Sequence, residues 1–303
     1  MITFDQALTI FQTFLITEKR APTNTVRAYS NDIEQLGKFF QEHDVTLHSY
    51  TKKDLMAFLQ KMLEDNISAS SRARKLAAMR LFFNLMVERC QIANHIISIK
   101  APKVEQRLPS YLSESEITQL LDTAQKDQTD RGIRNCLMIY LLYSAGLRVS
   151  ELLDLMPSSV RLDTGFLVVI GKRSKERFVP LPTQVLSLLN VYITTHRPKL
   201  FPKSCDDSNT PLFFTVRRGA VCSISRQGCW LIVKALLRAS GIIRRVYPHS
   251  LRHSLATHLL KNGANLRSLQ LLMGHESIAT IQVYTHLERD GLREIYDKAH
   301  SRS

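Results

Sequence analysis

Between Ile99 and Leu112 the chain carries two prolines, Pro102 and Pro109, several charged residues and no helical period. This break constrains everything else, because no single helix or strand can run through it. It reads as an interdomain linker over residues 101–112, dividing the 303 residues into a first domain, 1–100, and a second, 113–303.

The first domain has the period of helices. Phe4, Leu8, Phe11, Phe14 and Leu15 recur at three- and four-residue steps over Thr3–Lys19, and Val26, Tyr29, Ile33, Leu36 and Phe39 do so over Asn24–Glu42. Thr51–Glu64 and Ser71–Glu88 follow, so the pattern predicts a small four-helix bundle. The last of these helices opens on basic residues, Arg72, Arg74, Lys75 and Arg80, which suit a DNA backbone or a solvated face equally well.

In the second domain Ser113-Glu-Ser-Glu has the form of a capping box opening a helix. Phe166–Ile170 and Phe178–Leu181 flank a charged turn and predict a β-hairpin whose tip carries Lys172, Arg173, Lys175 and Arg177. Helices are expected over Thr183–Thr195, Ser225–Ala239, His249–Asn262, Leu266–Met273, Ile278–His286 and Leu287–His300, with Pro202–Thr215 as a loop. The fold class is therefore mainly α, with a small β-hairpin in the second domain.

Charge and composition narrow the function. The net charge is +14, most of it in the second domain, and for a protein without a membrane-length apolar run this points to a polyanion, nucleic acid first. The opening Met-Ile-Thr-Phe-Asp-Gln lacks a basic-then-apolar signal sequence, so a cytosolic protein is expected. Five cysteines, Cys90, Cys136, Cys205, Cys222 and Cys229, form no Cys-x-x-Cys pair, and reduced structural thiols are the expectation. Neither a Gly-x-Gly-x-x-Gly turn nor a phosphate-binding loop of the Walker type is present, so no cofactor is expected.

Three motifs carry chemistry. In Ser144-Ala-Gly-Leu-Arg148-Val-Ser-Glu the glycine places Arg148 near a helix start, where its fork and the helix dipole could both meet a phosphate. In Pro248-His249-Ser-Leu-Arg252-His253, His249 and Arg252 share one helical face and pair a proton-transfer group with a fixed cation. The same stretch has an alternative reading as a zinc site on His249, His253 and His258, although the Glu of His-Glu-x-x-His is missing. Finally, Leu272-Met-Gly-His275 places a histidine after a helix end, and Tyr284-Thr-His286 follows nine residues later.

Taken in order, Arg148, Lys172, His249, Arg252, His275 and Tyr284 resemble the tyrosine recombinase (phage-integrase) family, whose defining set is Arg, Lys, His-x-x-Arg, His and Tyr. The run His249–Arg267 extends the match, and the first domain is similar to the family's SAM-like core-binding domain. Within the family the chain looks most like the Xer branch, although Arg173 stands where Xer proteins usually have Gly.

The resemblance implies site-specific cutting and rejoining of duplex DNA without metal or ATP, at a dif-like site, to resolve chromosome or plasmid dimers. Tyr284 would be the nucleophile, Arg148 and Arg252 the phosphate clamp, His275 a hydrogen-bond donor, His249 the base and Lys172 the general acid. Partners would be double-stranded DNA, gripped by both domains as a C-shaped clamp, and a homo- or hetero-tetramer with itself or a second Xer recombinase. Whether a DNA translocase switches it on is left open. DNA contacts would come from Arg72, Arg74, Lys75, Arg80, Arg173, Lys175 and Arg226, in a bacterial cytoplasm on the nucleoid. A mobile-element integrase and a catalytically silent DNA-binding regulator are the alternatives.

Overall fold

The computed structural model describes residues 2–100, 102, 111–171, 176–202, 210–244 and 246–273. The chain divides into two compact units, Met1–Arg107 and Leu108–Ser303.

The first unit is built from α1 (Phe4–Thr17), α2 (Thr23–Glu42), α3 (Lys52–Glu64) and α4 (Ala69–Cys90). Local chemistry sets their starts. Thr3 and Gln6 cap α1 reciprocally, Thr51 and Asp54 do the same for α3, and Ser68 Oγ accepts from the Ser71 amide at the head of α4. The period-3.6 residues then turn inward: Phe11, Phe14, Leu15, Ile33, Leu36 and Phe39 are all buried. Phe4, Phe11 and Phe82 interlock, the latter two edge to face at 5.5 Å, joining α1 to α4.

The second unit begins with α5 (Glu114–Ala124), whose Ser113–Glu116 capping box forms as its sequence suggests. Leu112, at the end of the stretch read as linker, is already in this unit's core, its amide donating to Ser254 Oγ at 2.7 Å. Next comes α6 (Asp130–Ser144), in which Leu137 to Ser144 are buried without interruption. A helix apolar on all sides must be enclosed. Here α5, α8 (Thr183–Val191) and α10 (Pro248–Lys261) enclose it.

After α6 the chain makes the short α7 (Val149–Leu153) and the antiparallel sheet β1 (Val160–Arg161), β2 (Phe166–Ile170), β3 (Glu176–Pro180). Helix α8 loosens into a π-helical turn at Tyr192–His196. A second hairpin follows, β4 (Phe214–Arg217) and β5 (Ala220–Ser223), then α9 (Arg226–Ala239) and, after α10, α11 (Leu266–Met273).

Two differences from the sequence reading have local causes. The loop expected to run to Thr215 gives way to β4, because Arg218 and Gly219 adopt left-handed backbone (φ 50° and 78°), the geometry of a two-residue hairpin turn. Arg-Gly is a weaker announcement of that turn than Asn-Gly. Strand β3 starts two residues before the expected Phe178, which takes Arg177 out of the tip and into the ladder opposite Val169. The helices expected at Ile278–His286 and Leu287–His300, together with Lys172, Arg173, Lys175, Cys205, His275 and Tyr284, lie outside the described residues.

Candidate active site

The loop between α6 and α7 makes the first half of the site. Gly146 has φ +56°, and a Cβ there would stand 2.9 Å from both Leu255 Cδ2 and Met273 Sδ, so the position demands glycine on two counts. Two residues later Arg148 is the N-cap of α7, as its glycine-preceded motif suggests. Glu151, one turn on, accepts from the Arg148 amide at 2.8 Å and from Arg148 Nη1 at 2.6 Å.

Arg252 comes from the second turn of α10 and is buried. Its Nη1 donates to the Gly146 carbonyl and its Nη2 to the Met273 carbonyl at the end of α11, so backbone from two other elements holds the guanidinium. His249 lies one turn earlier on the same helix, at its exposed start. Of the six residues singled out by motif, the described part of the structure thus brings Arg148 and Arg252 together, with His249 on the Arg252 face.

Two residues the motifs did not single out hold this arrangement. Glu151 is almost fully buried, and Arg177 grips it with both arms of its fork, Nη1 to Oε1 at 2.9 Å and Nη2 to Oε2 at 2.8 Å. Arg177 Nε also donates to the Leu272 carbonyl at 3.2 Å. Far from being a solvated tip residue, Arg177 is 6% exposed, because its strand phase aims it inward with Val179. That phase was a readable signal, as was Glu151 at the third position of a helix whose cap is Arg148.

The electrostatics follow from the pairing. Burial by itself would raise the Glu151 pKa, but hydrogen bonds and charge from Arg177, then Arg148, hold it at about 2. Burial, seconded by the like charges of Arg148 and Arg177, pushes Arg252 down to about 10. At neutral pH the cluster therefore holds three cations around one anion, an excess of positive charge suited to a phosphodiester monoanion that gains a second negative charge in the transition state.

The alternative zinc reading meets a different geometry. His258 turns its Nδ1 to the Tyr143 hydroxyl at 3.1 Å. Among the described residues no three His, Cys, Asp or Glu side chains are grouped to hold a metal. Burial raises the thiols of Cys136 and Cys229 to about 12 and about 11, values of structural cysteines.

The candidate DNA contacts differ among themselves. Lys75 is buried, its Nζ donating to Asp32 Oδ1 at 2.9 Å and Gln35 Oε1 at 2.6 Å, and Arg74 pairs with the same Asp32. Lys75 is thereby committed to the interior of the first unit. Arg72 and Arg80 donate to the carbonyls of Ile67 and Ile99, each at 2.6 Å. Arg226 stands exposed in the first turn of α9.

Comparison with known proteins covers both units of the chain. The Phage integrase family matches residues 110–290, and the phage integrase N-terminal SAM-like domain matches residues 8–89. The tyrosine recombinase XerD of Oceanobacillus iheyensis is 35% identical over 302 residues, covering 99% of both chains. Among solved structures, the XerH site-specific recombinase bound to a palindromic difH substrate, a post-cleavage complex, has a TM-score of 0.68 at 22% identity, covering 97% of this chain and 84% of its own. A lambda integrase tetramer bound to a Holliday junction has a TM-score of 0.66 at 20% identity, covering 93% and 81%. The chain belongs to the phage integrase family of tyrosine recombinases. Within that family it is a site-specific recombinase of the Xer type, a DNA-recombining enzyme.

Proposed function

We propose that the chain resolves chromosome or plasmid dimers at a dif-like site before segregation, by way of a 3′-phosphotyrosine on Tyr284. The observation that carries this reading is the convergence of Arg148 and Arg252 around Glu151, with His249 one turn before Arg252. The two guanidiniums clamp the non-bridging oxygens of the scissile phosphate, and His275 adds a hydrogen bond. The Tyr284 oxygen attacks phosphorus, its proton passing to His249, and the bond to the 5′ oxygen breaks as Lys172 protonates that leaving group. A free phenol has a pKa near 10, so the cationic cluster also favours the phenolate. Religation is the reverse with another strand's 5′-hydroxyl. The ester keeps the bond energy, and neither metal nor nucleotide is needed.

DNA is held chiefly through phosphates by both units, with Arg72, Arg74, Arg80, Arg173, Lys175 and Arg226 as contacts and Lys75 as internal support. The working assembly is a tetramer, with itself or a second Xer recombinase, on the bacterial nucleoid. The lambda integrase tetramer supports that assembly by shared fold.

The test uses nicked suicide DNA with a dif-like site in EDTA, comparing the native chain with Tyr284→Phe on denaturing gels. A covalent adduct formed by the native chain and lost in the variant supports the reading. Tight, salt-sensitive binding with no adduct would instead leave a DNA-binding regulator.

A further inference from the structure

Arg177 has no role in the chemistry set out above, yet all three of its guanidinium nitrogens donate hydrogen bonds within the cluster. Both arms of its fork close on Glu151 at 2.8 and 2.9 Å, and its Nε reaches the Leu272 carbonyl. The same carboxylate stands 3.9 Å from Arg252 and accepts from Arg148 at 2.6 Å. A buried carboxylate with one fewer partner would draw in the neighbouring cation that it does not yet hydrogen-bond, because an uncompensated buried charge is costly. That cation is Arg252, whose alternative anchors are the neutral carbonyls of Gly146 and Met273.

We infer that Arg177 is a positioning residue for strand cleavage: by saturating Glu151 it keeps the charge of Arg252 and Arg148 turned to the scissile phosphate. With Arg177 in place the cluster has an excess of two positive charges, which matches the two negative charges of the phosphorane. Without it the excess is one, and Glu151 competes with the substrate for Arg252. The inference rests on the reading of Arg148 and Arg252 as the phosphate clamp.

The experiment measures strand scission on two nicked suicide substrates of one sequence. One carries the ordinary phosphodiester and the other a methylphosphonate at the scissile position. The methyl group replaces a non-bridging oxygen, so the transition state carries one negative charge fewer and leans less on the clamp. Arg177→Met is expected to bind DNA normally, to lose about 100-fold in scission of the phosphodiester and less than about 10-fold on the methylphosphonate. A residue that merely held the fold together would lose equally on both, and equal losses, or none, overturn the inference.

A second variant keeps the test sound if Arg177→Met folds poorly. In Arg177→Met/Glu151→Gln the buried carboxylate is removed along with its bidentate partner, Arg252 keeps its two carbonyl anchors, and the two remaining arginines again supply an excess of two. This variant is expected to cut the phosphodiester at least about 10-fold faster than Arg177→Met, the double-mutant signature of coupling through Glu151. If it is no faster than a folded Arg177→Met, or no better than inactive when the single variant does not fold, the inference fails. Arg252→Ala runs alongside. If its loss is the same on both substrates, the clamp reading itself falls and the inference with it; if its loss is selective and that of Arg177→Met is not, only the inference falls.

Discussion

Among the described residues each unit buries one carboxylate among cations, Asp32 in the first and Glu151 in the second, and the two are put to different use. In the first unit Asp32 is wholly inaccessible and holds Lys75 and Arg74, joining α2 to α4. The Lys75 ammonium is buried with it, so the pair neutralises itself inside the bundle. In the second unit Glu151 is shared by Arg148, Arg177 and Arg252, and Arg148 remains one-third exposed. There the anion is outnumbered three to one, and the surplus charge is held in place by carbonyls rather than cancelled. A buried carboxylate can thus be a fastener or an organiser. The number of cations around it and the presence of neutral anchors decide which.

The comparison is most easily broken at Asp32. Asp32→Asn leaves the Lys75 ammonium buried without its counter-ion and is expected to destabilise the first unit by about 3–5 kcal/mol. Hydrogen exchange at the α2 and α4 amides reads this, and Asp32→Asn/Lys75→Met should recover most of the loss. Unchanged protection in the single variant would remove Asp32 from the architecture.

Arg252→Ala sharpens the other side. Scission of suicide DNA should fall by about 10²–10³-fold while gel-shift affinity changes little, since one preorganised donor in a dry site is worth about that much.

The pH dependence tests the Glu151 side. Glu151 sits at about 2 against an ordinary 4.5, so its contribution is fully present above pH 4.5 and is lost as pH falls from 4.5 toward 2. The loss amounts to about 3 kcal/mol in the second unit. Trp230 on α9 is the only tryptophan, so its fluorescence follows that unit's unfolding; Glu151→Gln should flatten the acid limb.

Gly146→Ala tests the anchors. Left-handed backbone and two contacts at 2.9 Å predict a cost of about 1–2 kcal/mol by urea unfolding, with a further loss of scission as the Arg252 carbonyl anchor shifts. The smallest expected effect is Arg226→Ala. It should reduce the slope of log affinity against log salt by about 1, on any DNA sequence, as befits a phosphate contact.

Most of the fold was legible because helix and strand starts are local chemistry. The Thr3, Thr51 and Ser113 boxes each satisfy amide donors from within four residues. The β4–β5 hairpin escaped because its turn is built on Arg218 in a conformation that arginine seldom adopts. In the site, the motifs put Arg148 at a helix start and Arg252 on one helical face with His249, and the family resemblance linked the two arginines. Glu151 was passed over, Arg177 was placed on a solvated tip and Lys75 among the DNA contacts, since a charged residue is exposed by default.

What the sequence determined by itself was the periodic, the local and the motif-borne: helices, caps, the first hairpin, the positive charge and the family. The tertiary structure decided which charges are turned inward. Arg177 meets Glu151 across 26 residues and Lys75 meets Asp32 across 43. Burying an ion is costly unless a partner arrives with it. That partner is supplied by the packing of β3 against α7, or α4 against α2, and no pattern within either segment encodes it.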